Sequence, residues 1–135
     1  FRLMRGNAGS KVMHSQLVLI SPHDGEQFLL AQIAWLMEKP DASLIVGVAT
    51  LPGLPSGVGV RLAADRPADA KRFVRAFLLP AMPAIQEDSS IVMPLGVYQP
   101  SRVLDVTDGE RTWQVKMHHI VQRGTDFDRI SYLPV

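Results

Sequence analysis

The fold is decided by one stretch of the chain, residues 102–121, which reads RVLDVTDGERTWQVKMHHIV. Runs rich in β-branched and aromatic residues flank Asp108-Gly109, and such runs favour strands. A tight hairpin turn needs positive φ, which Gly and Asp tolerate, so this pair predicts a hairpin. In the second run Trp113, Val115 and Met117 alternate with polar residues, and this period of two predicts one buried face and one solvated face.

Similar runs lie on both sides of the hairpin and are separated by turns rich in Gly, Pro and Asp. The predicted strands are Gln16 to Ile20, Ser43 to Leu51, Val58 to Leu62, Ser90 to Met93, Arg102 to Thr107, Arg111 to Val121 and Phe127 to Leu133. Strands at this spacing, bounded by turn residues, are typical of an all-β fold.

Two segments fit a helix as well as a strand. Residues 26–38 contain good helix formers at helical spacing, but as a strand they form one apolar face that includes Ile33, Trp35 and Met37. On that face Trp35 belongs to the core. Residues 68–79 have the same ambiguity, and their periodicity leaves helix and strand open.

Composition excludes several classes of protein. The 135 residues make one domain or two small ones, and 14 basic against 13 acidic residues give a net charge of +1, which argues against a large phosphate-tracking surface. The absence of cysteine excludes disulfides, zinc–thiolate sites and thiol nucleophiles, and we expect a cytoplasmic protein.

The longest uncharged run, between Asp41 and Arg61, contains too many Pro and Gly residues for a membrane helix. Because the chain begins at Phe1, we expect an excised or processed piece.

The sequence has no motif typical of an enzyme, a cofactor site or a metal site. There is no Gly-x-Ser-x-Gly elbow, and the glycine-rich stretch at residues 53–60 lacks the Gly-Lys-Ser/Thr end of a phosphate loop. His118 and His119 are adjacent on a predicted strand, where neighbouring side chains point to opposite faces and cannot chelate one metal ion. We therefore expect a non-enzymatic protein without cofactor or metal.

The amino end is the best candidate for a ligand site. Arg2 and Arg5 precede a turn of small residues that includes Asn7 and Ser10. Guanidinium forks beside backbone N–H groups form a plausible phosphate site, so these four residues are the candidate ligand-binding residues.

Read together, these segments resemble the bacterial PilZ-domain family, from Phe1 to about Leu62. The resemblance is carried by the strand Phe1 to Met4, the turn Asn7 to Ser10, the strand Gln16 to Ile20, the stretch Ile33-Ala34-Trp35-Leu36 and the pair Gly47-Val48. It implies a PilZ-like antiparallel β-barrel over residues 1–66, a strand at residues 26–38, and, packed with the first barrel, a second small β-barrel-like module over residues 67–135.

PilZ domains commonly bind the messenger cyclic di-GMP through Arg-x-x-x-Arg and Asp/Asn-x-Ser-x-x-Gly. Here Arg2 and Arg5 are one residue too close, and Asn7 and Ser10 stand where the second motif has Ser and Gly. The resemblance thus implies a regulatory or protein-interaction module of a bacterial cyclic di-GMP pathway, with a partner protein and with weak or absent messenger binding.

The alternative is a small β-barrel that binds nucleic acid. Such a barrel interleaves basic and aromatic residues on one sheet face. In the strand after the hairpin, Trp113 alternates onto the face opposite Lys116, and this arrangement does not favour the alternative.

Overall fold

The computed structural model describes residues 2–4, 14–21 and 27–135. The chain divides into two compact units, of which unit 1 is Phe1–Leu51 with Gly124–Asp126, and unit 2 is Pro52–Arg123 with Phe127–Val135. The described residues contain ten strands and short 3-10 turns but no α-helix, which confirms the predicted all-β class.

Unit 1 is built on a four-stranded antiparallel sheet in the order β1-β4-β3-β2. Its strands are β1 (Arg2–Met4), β2 (Leu17–Ile20), β3 (Leu29–Glu38) and β4 (Ser43–Thr50). The strand predicted for residues 26–38 is therefore confirmed as β3. Leu30, Ala31, Ile33, Val46 and Leu51 are buried and form the apolar part of this unit.

Unit 2 is a closed antiparallel barrel of six strands in the order β10-β7-β6-β5-β8-β9. The strands are β5 (Ser56–Leu62), β6 (Val74–Leu79), β7 (Ser90–Pro94), β8 (Val103–Thr107), β9 (Thr112–Arg123) and β10 (Phe127–Pro134). The interior is filled by alternate apolar side chains, among them Val60, Ile91, Leu104, Met117 and Ile130. A barrel of this size is packed solid with side chains.

Most of the closed barrel lies within the second β-barrel-like module predicted over residues 67–135, but the barrel begins earlier, with β5. The PilZ-like barrel was predicted over residues 1–66, whereas the described strands of unit 1 form the four-stranded sheet and the barrel begins with β5. β5 pairs with β6 and β8, and Val58 and Val60 project into the barrel core, so residues 52–66 lie in unit 2. Residues 68–79 resolve into the end of a 3-10 turn at Pro67–Asp69 followed by β6.

The predicted hairpin joins β8 to β9. Gly109 has φ +96°, and the Asp108 carboxylate accepts backbone hydrogen bonds from Glu110 at 2.9 Å and Arg111 at 2.8 Å. These N–H groups, first that of Arg111, lower the pKa of Asp108 below its usual value of 3.8. The period of two is also confirmed, since Val115 and Met117 are buried while Gln114 and Lys116 are exposed.

A β-bulge in β3 overturns the prediction that Trp35 is a core residue. Ile33 pairs with Val48 and Trp35 with Gly47, so Ala34 is an extra residue on β3. One extra residue reverses the faces of all residues after it. Ala31 and Ile33 are therefore buried, whereas Trp35 lies on the other face with 49% of its surface exposed.

A second bulge, in β9, overturns the prediction for the two adjacent histidines. Ile120 pairs with Ile130 and Met117 with Tyr132, so His118 and His119 together face Ser131 of β10. Met117 and Ile120 both pack in the barrel core, and the two histidines between them are both exposed. The imidazole rings lie side by side, with centroids 3.6 Å apart and planes tilted by 40°.

Candidate functional site

The carboxyl-terminal half of β3 is unusually exposed for an apolar strand. Trp35, Leu36 and Met37, here called the apolar β3 segment, are 49%, 37% and 52% exposed. Trp35 and Met37 share a face with their partners Gly47 and Ile45, and Leu36 projects from the opposite face beside Val46. Adjacent exposed apolar residues of this size mark interaction surfaces more often than isolated ones do.

Trp35 is held flat against the sheet by Gly47. A Cβ atom on Gly47 would lie 2.0 Å from Trp35 Nε1 and 2.1 Å from Cε2, so the indole occupies the space above the glycine. An aromatic ring that covers a cross-strand glycine compensates for its missing side chain. The contact fixes the orientation of the indole while half of its surface stays accessible, which suits a residue that binds a partner.

The apolar β3 segment also has an open edge in the described part of the chain. On the side away from β4, β3 pairs with β2 through residues 29–32, and Ile33 exchanges backbone hydrogen bonds with Ser15 and Gln16. No described strand pairs with Trp35, Leu36 or Met37 on that side. Open edges with apolar side chains accept a further strand readily.

Unit 2 carries a shallow polar depression of about 380 Å³. It lies between the segment that follows β5 and the turn before β8, and it is lined among others by Leu62, Asp65, Asp69, Lys71, Gln99 and Arg102. The lining includes two acidic and two basic side chains, so the charges of these residues cancel. A site that selects phosphates has an excess of positive charge, and this depression therefore does not favour an anionic ligand.

Several arginines of the barrel are engaged within the protein. Arg61 pairs with Asp105 at 3.0 Å and stacks on the Phe73 ring at 4.1 Å. Arg129 is nearly buried and donates to Ser90 at 2.9 Å and to Glu87 at 3.0 Å. Guanidinium groups held in this way are not available to phosphates.

Of the four predicted ligand-binding residues at the amino end, Arg2 alone lies within the described residues. Arg2 lies in β1 and pairs through its backbone with Ile45 of β4. Arg5, Asn7 and Ser10 lie outside the described residues, so their assignment as a phosphate site stays a prediction.

The described ranges contain no cluster of three or more His, Asp or Glu side chains that could hold a metal ion. Within the same ranges, no helix has the length and apolar character that a membrane crossing requires.

The apolar β3 segment was missed by sequence analysis because the bulge at Ala34 reverses its faces. The apolar stretch around Trp35 is visible in the sequence, but its alternation predicts a core position for Trp35.

The barrel of β5 to β10 places the protein in the class of small antiparallel β-barrel modules. The sequence model of the FimW C-terminal beta-barrel domain matches residues 58–135, and the chain belongs to this family. The match begins inside β5 and runs through β10, so it coincides with the closed barrel. No curated protein and no solved structure matches the chain. The resemblance to the PilZ family stays a prediction.

Proposed function

We propose that the protein is a non-enzymatic protein-interaction module that binds its partner through the apolar β3 segment. The observation that carries the proposal is the combination of exposed Trp35, Leu36 and Met37 with an open strand edge in the described structure. Burying such side chains stabilises a complex by about 25 cal/mol per Å² of apolar surface before the costs of association.

The partner chemistry that fits this surface is an extended protein segment. An added strand forms main-chain hydrogen bonds with the open edge, and its alternate side chains select the partner. On one face of the sheet, Trp35 and Met37 contact side chains of the added strand. On the opposite face, Leu36 contacts the alternate side chains of that strand. The barrel serves as the stable scaffold of the chain.

We further propose that the module is regulatory and acts in the bacterial cytoplasm, in a cyclic di-GMP pathway. The support for the pathway is the PilZ-like pattern of the amino-terminal half of the sequence. The messenger presents two phosphates and two guanine edges, whereas Arg2 and Arg5 have the wrong spacing and Ser10 replaces a glycine of the motif. Each missing charged hydrogen bond costs roughly 1.5–3 kcal/mol, which lowers affinity by orders of magnitude when two are lost.

Calorimetry tests the messenger proposal. We expect no saturable binding of cyclic di-GMP to this chain at micromolar concentration. Clear micromolar binding that disappears in the Arg2→Ala, Arg5→Ala double variant would establish a working site at the amino end and contradict the expectation.

Photo-cross-linking in the native cells tests the interaction surface. A photoreactive phenylalanine analogue replaces Met37 in one strain and Gln114 in the control strain, because both positions are exposed and Gln114 lies on the barrel. We expect a discrete protein adduct at Met37 that is absent at Gln114 and weakened by Leu36→Lys. Adducts of equal yield at both positions would contradict the assignment.

A further inference from the structure

The outer face of β6 combines positive charge with an aromatic ring. Residues 70–86 contain three basic residues, all within the run KRFVRAF, and no acidic residue. Ala76 faces the barrel core, so its neighbours Arg75 and Phe77 project outward. A helix would place these two side chains on different faces, and only the strand brings them to one surface.

A second ring on this surface is already covered. Phe73 lies against Gly59 of β5, where an added Cβ atom would be 3.1 Å from the Phe73 Cβ. The guanidinium of Arg61 lies over the Phe73 ring at 4.1 Å, and Asp105 balances its charge at 3.0 Å. These contacts occupy Phe73, so a ligand that stacks on this surface has Phe77 as its ring.

Phe77 borders an open slot on the outer face of the barrel. Its cross-strand partner on β5 is Gly57, and no described atom beyond the chain neighbours of Gly57 lies within 4 Å of a Cβ atom placed there. Its partner on the other side, Val92 of β7, is buried. Because a strand glycine permits close approach, a planar group can lie over the backbone of Gly57 and against the half-buried Phe77.

Two arginines of the same segment are available to an anion. Arg72 and Arg75 are exposed and form no ion pair with another described residue. Arg75 is two positions from Phe77 on the same face, roughly 7 Å along the strand. Guanidinium groups bind phosphate oxygens in pairs of parallel hydrogen bonds. Cations that hold the backbone and a ring that stacks a base are the two components of a site for single-stranded nucleic acid.

We propose that the outer face of β5 and β6 is a short binding site for single-stranded nucleic acid. A base stacks on Phe77 above Gly57, and Arg75 and Arg72 bind phosphates of the same strand. The site belongs to the barrel and does not depend on the apolar β3 segment. Its small extent agrees with the net charge of +1, which argues only against a large phosphate-tracking surface. Binding of this kind tolerates many sequences, because every base has a face that can stack.

Fluorescence anisotropy of a labelled oligothymidylate of about 12 nucleotides tests the site on the whole chain. We expect saturable binding with a Kd of about 1–100 μM at physiological salt, the range of contacts without sequence preference. Phe77→Leu keeps an apolar side chain but removes the ring, and it should weaken binding roughly tenfold. Gly57→Val fills the slot without changing any charge, and it should weaken binding to a similar extent.

Salt dependence separates the phosphate contact from the stacking contact. Arg75→Ala should reduce the slope of log affinity against log salt by about 0.7–1, because one phosphate contact is lost. Phe77→Leu should leave that slope unchanged. The matched control is Lys116→Ala, which removes the same charge from an exposed position on β9 and should change neither affinity nor slope.

Three results would overturn the proposal: no binding by the natural chain, binding that survives both Phe77→Leu and Gly57→Val, or equal losses in Arg75→Ala and Lys116→Ala. Attachment to vesicles of phosphatidylserine and phosphatidylcholine without oligonucleotide binding would also overturn it, because an anionic lipid surface needs the charges but not the slot. Circular dichroism of each variant shows that the barrel is intact in these comparisons.

Discussion

The indole of Trp35 occupies the place that a side chain on Gly47 would fill. The sequence shows both residues but not their contact, because the contact depends on the register between β3 and β4. A core position for Trp35 would make its removal cost about 3–5 kcal/mol. Because half of the Trp35 surface is exposed to solvent, its removal should cost less stability than removal of a core residue. The exposed half of the surface is available to a binding partner.

The Trp35–Gly47 contact predicts a selective effect of adding one methyl group. Gly47→Ala forces the indole away from the sheet and should lower the free energy of unfolding by about 1–3 kcal/mol, as overpacking does. Urea unfolding measures the loss. Gly57→Ala is the control, because nothing lies within 4 Å of a Cβ at that position. Equal losses in the two variants, or a loss in Gly47→Ala that Trp35→Ala does not diminish, would contradict the contact.

The ion pair of Arg129 predicts a large cost for removing its partner. The Arg129 side chain is 5% exposed and the Glu87 side chain 37%, so Glu87→Ala leaves a nearly buried guanidinium without its carboxylate. We expect a loss of roughly 2–4 kcal/mol in chemical unfolding, below the full cost of a broken buried pair because Glu87 is partly solvated. The control is Asp69→Ala, which breaks the exposed pair with Arg66 and should cost less than about 1 kcal/mol. Similar losses in both would contradict a structural role for Arg129.

At the scale of the strand, the local sequence pattern predicts correctly where strands occur. It does not predict which face of the sheet each side chain takes after a bulge. The alternation in β9 is correct from Thr112 to Met117, where each residue takes the expected face. The signal of the bulge is present in the sequence, because the inward apolar positions step by two up to Met117 and then by three to Ile120. In β3 no such step exists, since Trp35 and Met37 are as apolar as the residues before Ala34. Only pairing with β4 reveals that bulge.

The β8–β9 hairpin predicts a pH effect on stability. The pKa of Asp108 is lowered in the folded protein, so the unfolded chain binds a proton there more readily. The carboxylate therefore contributes its full stabilisation at pH values above its ordinary pKa of 3.8. This contribution is lost as the pH falls through the lower pKa of the folded protein. Asp108→Asn keeps an acceptor oxygen but does not titrate. Between neutral pH and about pH 3, the urea midpoint of unfolding should decrease less in Asp108→Asn than in the natural chain. An equal decrease in the two proteins would contradict the role of the carboxylate.

At the scale of the whole molecule, the all-β class can be predicted from the strand runs and turns, but the start of the closed barrel at β5 cannot. Closure depends on β5 pairing with β8 and β10 with β7, residues far apart in the chain. No local pattern of Val58 or Val60 distinguishes a strand of the first unit from one of the barrel. The candidate ligand residues at the amino end followed from a family pattern, whereas the apolar β3 segment follows from register and exposure.

Amide hydrogen exchange tests the central claim, that the apolar β3 segment is the surface through which this protein binds its partner. The measurement compares the whole chain alone with the chain bound to the protein recovered by cross-linking at Met37. Backbone amides become protected when a new strand pairs with an open edge. We predict added protection at those backbone amides of residues 35–37 that point to the open edge, and unchanged exchange in the barrel strands β5 to β10. Protection confined to the barrel, with Trp35 to Met37 exchanging as in the free chain, would contradict the account.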